Sequence, residues 1–381
     1  MRIALLTHST NPRGGVAHAL AVGEALNRLG HEAVVHAPAA PGADFYRAVA
    51  CETRPVATTR AEAGFAPFVK ARIADYVGHF ETPAARRFDA FLAGDGISAN
   101  ALATLRERRL IPAFAYTVHH LDGFGDAEVD ALQMRALRAA DAHLTVSRLW
   151  RDRLALEHGI EATLAGNGVD RARFHREPDG REGALRERLG VGEGPVFLAV
   201  GGIEARKNTI AIAQAFAALL PLHPDAWLVI AGGASLLDHG AYRAAFDAAL
   251  RHLRAARARI VLSGPVEEAD MPALYRLAHA LVFPSLLEGF GLVALEAIAC
   301  GTPAIVSARP PFTEHFGADD VLWCDPNRHA TIADAMALAL RPDVRARLAA
   351  RAEAALAGHD WARVAARHLP VFERLREAVH A

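Results

Sequence analysis

The sequence predicts an α/β protein built from two Rossmann-like, doubly wound domains, each with a parallel sheet covered by helices. Short apolar runs typical of buried strands alternate with longer helical patterns along the chain. A polar, turn-rich segment at residues 166–183 interrupts this alternation, which restarts after it. The length of 381 residues suits two domains. Ligands of such sheets bind beyond the carboxyl ends of the strands, so we expect a site in a cleft that the two domains face.

The elements alternate in the same way in both halves of the chain. The predicted strands are short apolar runs, at residues 2–7, near Val35, and at 88–93, 112–118, 142–147, 195–202, 226–233, 259–264, 280–285 and 303–308. The predicted helices repeat apolar residues at helical spacing, at residues 16–29, 98–109, 128–140, 209–220, 241–256, 271–278 and 292–300. Two helical stretches rich in Ala and Arg end the chain, the second beginning near Trp361. We place an N-terminal domain at residues 1–172 and a C-terminal domain at residues 173–360.

Composition excludes several classes of function. The 42 basic and 43 acidic residues leave a net charge of −1, which argues against a nucleic-acid binder. Cys51, Cys300 and Cys324 are widely spaced and form no disulfide or zinc pattern, so we expect reduced thiols and a cytoplasmic location. The first ten residues contain too short an apolar run for a signal peptide, and no apolar stretch approaches the ~20 residues that cross a bilayer. Peripheral membrane contact stays open.

Two acidic residues stand in the apolar stretch "PSLLEGFGLVALEAIACGTP", residues 284–303. Glu288 lies in a turn, and Glu296 is the only charge of a helix that is otherwise apolar on all sides and therefore predicted to be buried. The backbone N–H groups of residues 289–292 at the helix start can bind phosphate or sugar hydroxyls. A carboxylate beside them can accept hydrogen bonds from a diol. We interpret the stretch as a nucleotide-sugar pocket, with Glu296 on the ribose and Glu288 on the sugar. The alternative is that Glu296 pairs with a buried arginine or caps a turn.

A second element supports such a pocket. "VGGIEARKNT", residues 200–209, follows a strand and opens a helix, and it carries Arg206 and Lys207. Lys207 and Lys70 are the only lysines among 42 basic residues. Two cations and a helix N-terminus are suited to a pyrophosphate. The alternative is a solvated basic turn.

The N-terminal half contributes candidates at three predicted strand ends. Gly14 and Gly15 follow the first strand and form a turn that is suited to a phosphate or an acceptor. The turn lacks the spacing of a dinucleotide site. "TVHHLDGFGD" places His119, His120 and Asp122 past another strand, and Asp95 ends a third strand in "GDG". We regard these four residues as candidates for the cleft.

These stretches together resemble the retaining GT-B glycosyltransferases of family four, which include sucrose synthase-like and mannosyltransferase enzymes, and in particular a bacterial subgroup of unknown acceptor. The resemblance covers nearly the whole chain. It rests on the N-terminal Gly-Gly turn, "TVHH", "VSRLWRDRL", "NGVDRARF", "VGGIEARKN" and, above all, "EGFGLVALE" between "FPS" and "AIACGTP".

The resemblance implies roles for individual residues. Glu288 is similar to the family's acid beside the donor sugar, Glu296 to its ribose-binding acid and Lys207 to its diphosphate lysine. Phe290, Gly291 and Leu292 match the family's backbone donors to sugar and phosphate, and Val266 matches the position whose backbone recognises the base. Gly15 matches the loop that closes on the phosphate and the acceptor. His119 matches a histidine near the reacting centre. The terminal helix, at residues 361–381, is expected to pack back on the N-terminal domain.

The expected reaction transfers a hexose, with retention, from a UDP-, GDP- or ADP-linked sugar to a hydroxyl acceptor that is a small molecule, a glycan or a lipid. We expect no cofactor and no metal, because no D-x-D triplet occurs in the chain. Many family members have Arg where this chain has Gly202 and His-Asp where it has His119-His120, so the donor stays open. The alternatives are a nucleotide-sugar epimerase on the same fold and a catalytically silent sugar-nucleotide-binding protein.

Overall fold

The computed structural model describes residues 1–233 and 239–377, without the side chain of Ala255. The chain divides into two compact units, residues 1–167 with 359–381 and residues 168–358. The boundaries placed from the sequence lie a few residues further along. Residues 378–381 of the expected terminal helix are outside the described residues.

The first unit is organised around a seven-stranded parallel sheet. Its strands are β1 (Arg2–Leu6), β2 (Glu32–Ala39), β3 (Glu52–Ala57), β4 (Ala90–Ala93), β5 (Ala115–Val118), β6 (Ala142–Thr145) and β7 (Thr163–Leu164). They lie in the order β3-β2-β1-β4-β5-β6-β7. The direction of this order reverses between β1 and β4, and such a switch point is where ligands bind in doubly wound sheets.

Helices cover this sheet, and one of them comes from the end of the chain. They are α1 (Gly14–Arg28), α2 (Phe65–Glu81), α3 (Gly96–Glu107), α4 (Ala127–Ala139), α5 (Arg148–His158) and, last in the chain, α15 (Trp361–Glu377). Helix α15 packs on α1, and its Trp361, Val364 and Phe372 are buried. Burying each such side chain stabilises the unit by about 1.5–3 kcal/mol.

The second unit repeats the plan with six parallel strands. They are β8 (Val196–Val200), β9 (Trp227–Ala231), β10 (Ile260–Gly264), β11 (Ala280–Phe283), β12 (Ala304–Ser307) and β13 (Leu322–Cys324). Their order is β10-β9-β8-β11-β12-β13, so the switch point lies between β8 and β11. Strands β8, β9, β11 and β12 are nearly continuous runs of buried apolar residues, as expected for strands covered on both faces, whereas in β10, at the edge of the sheet, only Ile260 is buried.

The helices of the second unit connect these strands. They are α6 (Arg181–Leu189), α7 (Thr209–Leu219), α8 (Gly240–His252), α9 (Arg254–Arg257), α10 (Met271–Leu277), α11 (Leu292–Ala299), α12 (Phe312–His315), α13 (His329–Ala339) and α14 (Pro342–Leu356).

The predicted class, two Rossmann-like parallel-sheet domains, is confirmed, but several elements differ from the prediction. The single helix predicted at residues 241–256 is wrong, because the chain breaks at Leu253 between α8 and α9. The polar segment at residues 166–183 is not wholly irregular, since α6 begins at Arg181, and Phe174 is buried with its ring centroid 6.0 Å from that of Tyr275. The elements that were not predicted are strands β3, β7 and β13 and helices α2, α5, α6, α12 and α13.

Candidate active site

In the second unit, the loops that follow β8 and β11 meet at the switch point of the sheet. Gly201 and Gly202 have φ angles of 122° and 77°, which favour glycine. A Cβ on Gly202 would come within 2.7 Å of the Gly233 carbonyl oxygen, so the turn requires glycine there. The Leu286 N–H donates to the Arg206 carbonyl at 2.9 Å, which ties the two loops together.

These loops bring Arg206, Lys207 and Glu288 into direct contact. Lys207 Nζ lies 2.6 Å, and Arg206 Nη1 lies 2.7 Å, from the same oxygen, Oε1 of Glu288. A further carboxylate, that of Glu204, lies 3.4 Å from Arg206 Nη2. The predicted basic turn is therefore an ion-pair cluster with the predicted sugar-binding acid. Pairing with opposite charges lowers the free-energy cost of burying these groups, compared with burying isolated charges.

The environment of Lys207 is apolar on one side. Its ammonium nitrogen lies 4.4 Å from the centroid of the Phe283 ring, a cation–π arrangement. Burial lowers the pKa of Lys207, and the neighbouring charge of Arg206 lowers it further, whereas Glu288 acts to raise it. A second negative charge placed here would favour the protonated ammonium.

Helix α11 begins beside this cluster. Gly291 precedes the helix with φ 96°, and a Cβ there would come within 2.6 Å of the Phe312 ring, so no other residue fits without a shift. The prediction that the helix is buried on all sides is wrong, because Leu292, Val293 and Glu296 are partly accessible along one face. The first N–H groups of a helix have no intrahelical partner, so this accessible face begins at an anion-binding end.

Glu296 is held by a tyrosine. The hydroxyl of Tyr275, on α10, donates to Oε2 of Glu296 at 2.6 Å. Burial raises the pKa of the Glu296 carboxyl, while the bond from Tyr275 and the charge of Arg173 act to lower it. The pattern of residues along the chain gave no signal for Tyr275, because the contact joins two helices.

Two further predicted donor residues lie in the same unit. Phe290 is 5% exposed, and its ring centroid lies 4.1 Å from that of His315. Val266 is half-buried beyond the end of β10, two strands from β8 in the sheet. The structure thus places all the predicted donor residues beyond the carboxyl ends of strands of one sheet.

The predicted residues of the first unit follow three adjacent strands. Gly14 begins α1 after β1, and a Cβ on Gly15 would lie 3.5 Å from Cδ2 of His119, which follows β5. Asp95 follows β4 and caps α3 by accepting from the Ser98 N–H at 2.9 Å, and its other oxygen lies 3.8 Å from His8 Nδ1. Asp95 therefore has a structural role in addition to any contact with a ligand.

His119 lies in a group with His18 and His368, neither of which is among the predicted site residues. His18, on α1, has its ring centroid 4.9 Å from that of His119 and 5.8 Å from that of His368, on α15. The Nδ1 of His18 lies 2.5 Å from Oδ1 of Asn167. Burial lowers the pKa of His119 to about 3 and that of His368 to about 4, and it lowers that of His18 well below the usual range. These rings are neutral near pH 7.

His120 and Asp122 form a separate pair. His120 Nε2 lies 3.1 Å from Oδ2 of Asp122, and the His120 ring centroid lies 6.3 Å from that of Trp150. Both side chains are partly accessible.

Residues 1–233 and 239–377 contain neither a metal-binding cluster nor a membrane-spanning helix. No three side chains of His, Cys, Asp or Glu in these ranges are grouped so that they could hold a metal ion. No helix in these ranges has the length and apolar content needed to cross a membrane.

Two sequence families match successive halves of the chain. The family of glycosyl transferases group 1 matches residues 182–355, and Glycosyltransferase Family 4 matches residues 12–173. The two Rossmann-like parallel-sheet units give the chain a GT-B fold. The chain belongs to the family four glycosyltransferases.

Curated relatives carry related names. The chain is 38% identical over 194 residues to D-inositol 3-phosphate glycosyltransferase of Xylanimonas cellulosilytica, a match that covers 50% of this chain and 45% of the relative. It is 28% identical over 321 residues to a GDP-mannose-dependent phosphatidylinositol monomannoside mannosyltransferase of Mycolicibacterium smegmatis, with 79% of each chain covered. The chain thus spans about half the length of the first relative and most of the second.

Solved structures share the fold. Sucrose-phosphate synthase from Thermosynechococcus elongatus superposes with a TM-score of 0.81 at 20% identity, with 99% of this chain and all of that chain covered. HepE of Anabaena, solved in complex with UDP-glucose, gives a TM-score of 0.78 at 18% identity, with 98% and 100% covered. At these identities the likeness concerns the fold.

Proposed function

We propose that this protein is a retaining glycosyltransferase that moves a hexose from a nucleotide-diphosphate sugar to a hydroxyl acceptor. The observation that carries the proposal is the cluster of Lys207, Arg206 and Glu288 beside the start of α11. Two cations and a helix N-terminus supply the positive potential that a leaving diphosphate requires. A carboxylate at the same place accepts hydrogen bonds from the sugar hydroxyls.

The donor binds to the second unit in this proposal. Lys207 and Arg206 bind the diphosphate, and the backbone N–H groups of Phe290, Gly291 and Leu292 donate to phosphate and sugar. Glu296 accepts the ribose hydroxyls through the carboxylate that Tyr275 orients. The backbone at Val266 contacts the base, which is uracil, guanine or adenine.

The chemical step exchanges one oxygen for another at the anomeric carbon. The bond from C1 to the diphosphate oxygen breaks through an oxocarbenium-like state, and the acceptor oxygen forms the new C1–O bond on the same face. The acceptor proton moves to an oxygen of the leaving diphosphate. Lys207 and Arg206 stabilise the charge that develops on that group, so the step requires no metal.

The first unit supplies the acceptor side. His119, beside Gly15, is neutral near pH 7 and therefore positions or polarises the sugar by hydrogen bonding rather than by charge. Asp95, His120 and Asp122 are the candidates for acceptor contacts, and Gly14 and Gly15 leave room for a phosphate or an acceptor. Peripheral contact with a membrane would accompany a lipid acceptor.

The comparisons support a nucleotide sugar as the donor class. HepE was solved with UDP-glucose, and the mannosyltransferase relative is named for its use of GDP-mannose. The two names point to different bases, so the donor of this chain is best identified by measurement.

The test is an assay with UDP-, GDP- and ADP-linked glucose and mannose, with and without D-inositol 3-phosphate and other polyol acceptors. We expect one donor to be consumed with release of its nucleoside diphosphate. NMR spectroscopy of the product is expected to show the anomeric configuration of the donor. Inversion at C1 would contradict the retaining mechanism.

The same assay separates the alternatives. Free epimerised nucleotide sugar formed without an acceptor would indicate an epimerase. Tight nucleotide binding without hydrolysis or transfer for any donor would indicate a silent binding protein. Glu288→Gln is the matched variant, since it is expected to bind nucleotide and to lose transfer.

A further inference from the structure

An open, basic pocket lies at the end of the second sheet where the strands begin, and the donor residues lie at the opposite end. Its volume is about 390 Å³, and it is formed by α6, α10, the start of β11 and α14. His279, immediately before β11, lines the pocket, and the His279 N–H donates to the Val196 carbonyl at the start of β8. The pocket is thus at the amino ends of β8 and β11, on the order of 15 Å from the residues that follow their carboxyl ends.

Arg345 contributes a cation whose burial is not offset by a carboxylate. Its Nη1 donates to the His279 carbonyl oxygen at 2.7 Å. Burial lowers the pKa of the Arg345 guanidinium. Among the residues that the structure describes, no carboxylate lies within ion-pair distance of Arg345. A half-buried guanidinium without a counter-charge is unfavourable, and a bound anion would relieve that cost.

A second cation faces the same space. Arg186, on α6, lines the pocket and donates to the carbonyl oxygen of Gly192. Burial lowers the pKa of His279, and the positive charges of Arg345 and Arg186 lower it further. No carboxylate in the described ranges pairs with Arg186 either.

The rest of the lining adds hydrogen-bond donors and limited negative charge. The Val196 N–H donates to His279 Nδ1 at 3.2 Å, which leaves the proton of the neutral ring on Nε2. Arg276 is a third guanidinium in the lining, and its charge is shared by Glu182 at 2.5 Å and Asp179 at 2.9 Å. The two unpaired arginines therefore give the pocket a net positive potential.

We propose that this pocket is a second ligand site, separate from the donor site, for a small molecule that carries a phosphate monoester. Arg345 and Arg186 are the phosphate ligands, because the planar guanidinium group forms paired hydrogen bonds with phosphate oxygens. A volume of about 390 Å³ accommodates a phosphorylated sugar as well as free phosphate.

The test measures anion binding by calorimetry at fixed ionic strength, with inorganic phosphate and glucose 6-phosphate as the two probes. The background variant is Lys207→Ala, so that the donor site contributes little. We expect Arg345→Ala and Arg186→Ala each to weaken binding by about tenfold or more. The matched control is Arg341→Ala. Arg341 is an exposed arginine that immediately precedes α14, the helix that carries Arg345, and it pairs with Asp343 at 2.9 Å.

The outcomes are distinct. Tighter binding of glucose 6-phosphate than of phosphate indicates a sugar-phosphate ligand, and equal binding indicates that the phosphate group alone is recognised. Binding that is the same in Arg345→Ala, Arg186→Ala and Arg341→Ala would overturn the proposal, as would the lack of binding of both probes at about 10 mM. Arg186→Ala keeps the test valid if Arg345→Ala melts early, because Arg345 also supports the His279 backbone.

Discussion

Lys207 Nζ and Glu288 Oε1 lie 2.6 Å apart, and Arg206 Nη1 shares the same carboxylate oxygen at 2.7 Å. One acid thus holds both cations in place at the end of β8 and β11. Because Glu288 is buried, at 7% exposure, its loss removes the counter-charge that Lys207 and Arg206 share, and Arg206 keeps the Glu204 carboxylate at 3.4 Å. A diphosphate can supply the missing negative charge, and this exchange is the basis of the first two predictions.

Lys207→Ala is expected to weaken nucleoside diphosphate binding by about tenfold to a hundredfold, because a hydrogen bond to a charged group contributes about 1.5–3 kcal/mol. Isothermal titration with UDP, GDP and ADP measures the change. Lys70→Ala is the control, since Lys70 is exposed on α2 and paired there with Glu128. Equal affinities in the two variants would exclude Lys207 from the phosphate site.

Glu288→Gln is expected to abolish sugar transfer and to keep nucleotide binding. The free protein should also melt at a lower temperature, because Lys207 and Arg206 lose the counter-charge that they share. A nucleoside diphosphate should raise the melting temperature of this variant by more than it raises that of the wild type. Differential scanning fluorimetry and the donor assay test both halves of the prediction, and normal transfer by this variant would show that the role is wrong.

Tyr275→Phe is expected to weaken binding of ribonucleotides through Glu296, whose Oε2 accepts from the Tyr275 hydroxyl. A loss of roughly threefold to tenfold corresponds to one hydrogen bond. The effect should vanish for a 2′,3′-dideoxynucleotide, which offers no diol to Glu296. If Tyr275→Phe weakens the binding of the ribonucleotide and of the dideoxynucleotide equally, the Glu296 carboxylate does not bind the ribose.

Gly15→Ala is expected to fold normally and to lose transfer. A Cβ at Gly15 lies 3.5 Å from the His119 ring, an ordinary contact, so the substitution fills space without straining the unit. The control is Gly78→Ala on α2, where a Cβ meets nothing within 4 Å. Unchanged transfer in Gly15→Ala, at an unchanged melting temperature, would remove this turn from the active site.

His368→Gln is expected to flatten the dependence of stability on pH. The pKa of His368 is lowered from 6.5 to about 4 by burial, so between these values the unfolded chain binds the proton and the folded chain does not. Stability therefore falls as pH is lowered through this window, by at most about 1.4 kcal/mol per pH unit for one histidine. Urea unfolding at pH 6.5, 5.5 and 4.5 measures the slope. A slope identical to that of the wild type would show that His368 titrates alike in both states.

The fold could be predicted because alternation of apolar strands and helical patterns is a local property of the sequence. Strand β3, "ETRPVA", was missed because it is an edge strand with exposed polar residues and Pro55, which a central strand would not tolerate. Strand β7 has only two residues, too few to show a period.

The candidate site was predictable where the residues are close in sequence. Glu288, Gly291 and Glu296 lie in one stretch, and the two cations lie in another. Contacts between distant elements left no local signal, as with Tyr275 and Glu296 or with His18 and Asn167, which are 149 residues apart. The ion pairs of Glu288 belong to the same class, because they join loops 81 and 82 residues apart.

The most direct test is a crystal structure of this protein with its preferred nucleoside diphosphate. We expect density for the diphosphate at Lys207 and the start of α11, with the ribose hydroxyls on Glu296. A ligand bound elsewhere in the second unit, with Glu288 still paired to Lys207 and Arg206 and with Glu296 making no contact to it, would show that these residues do not form the donor site.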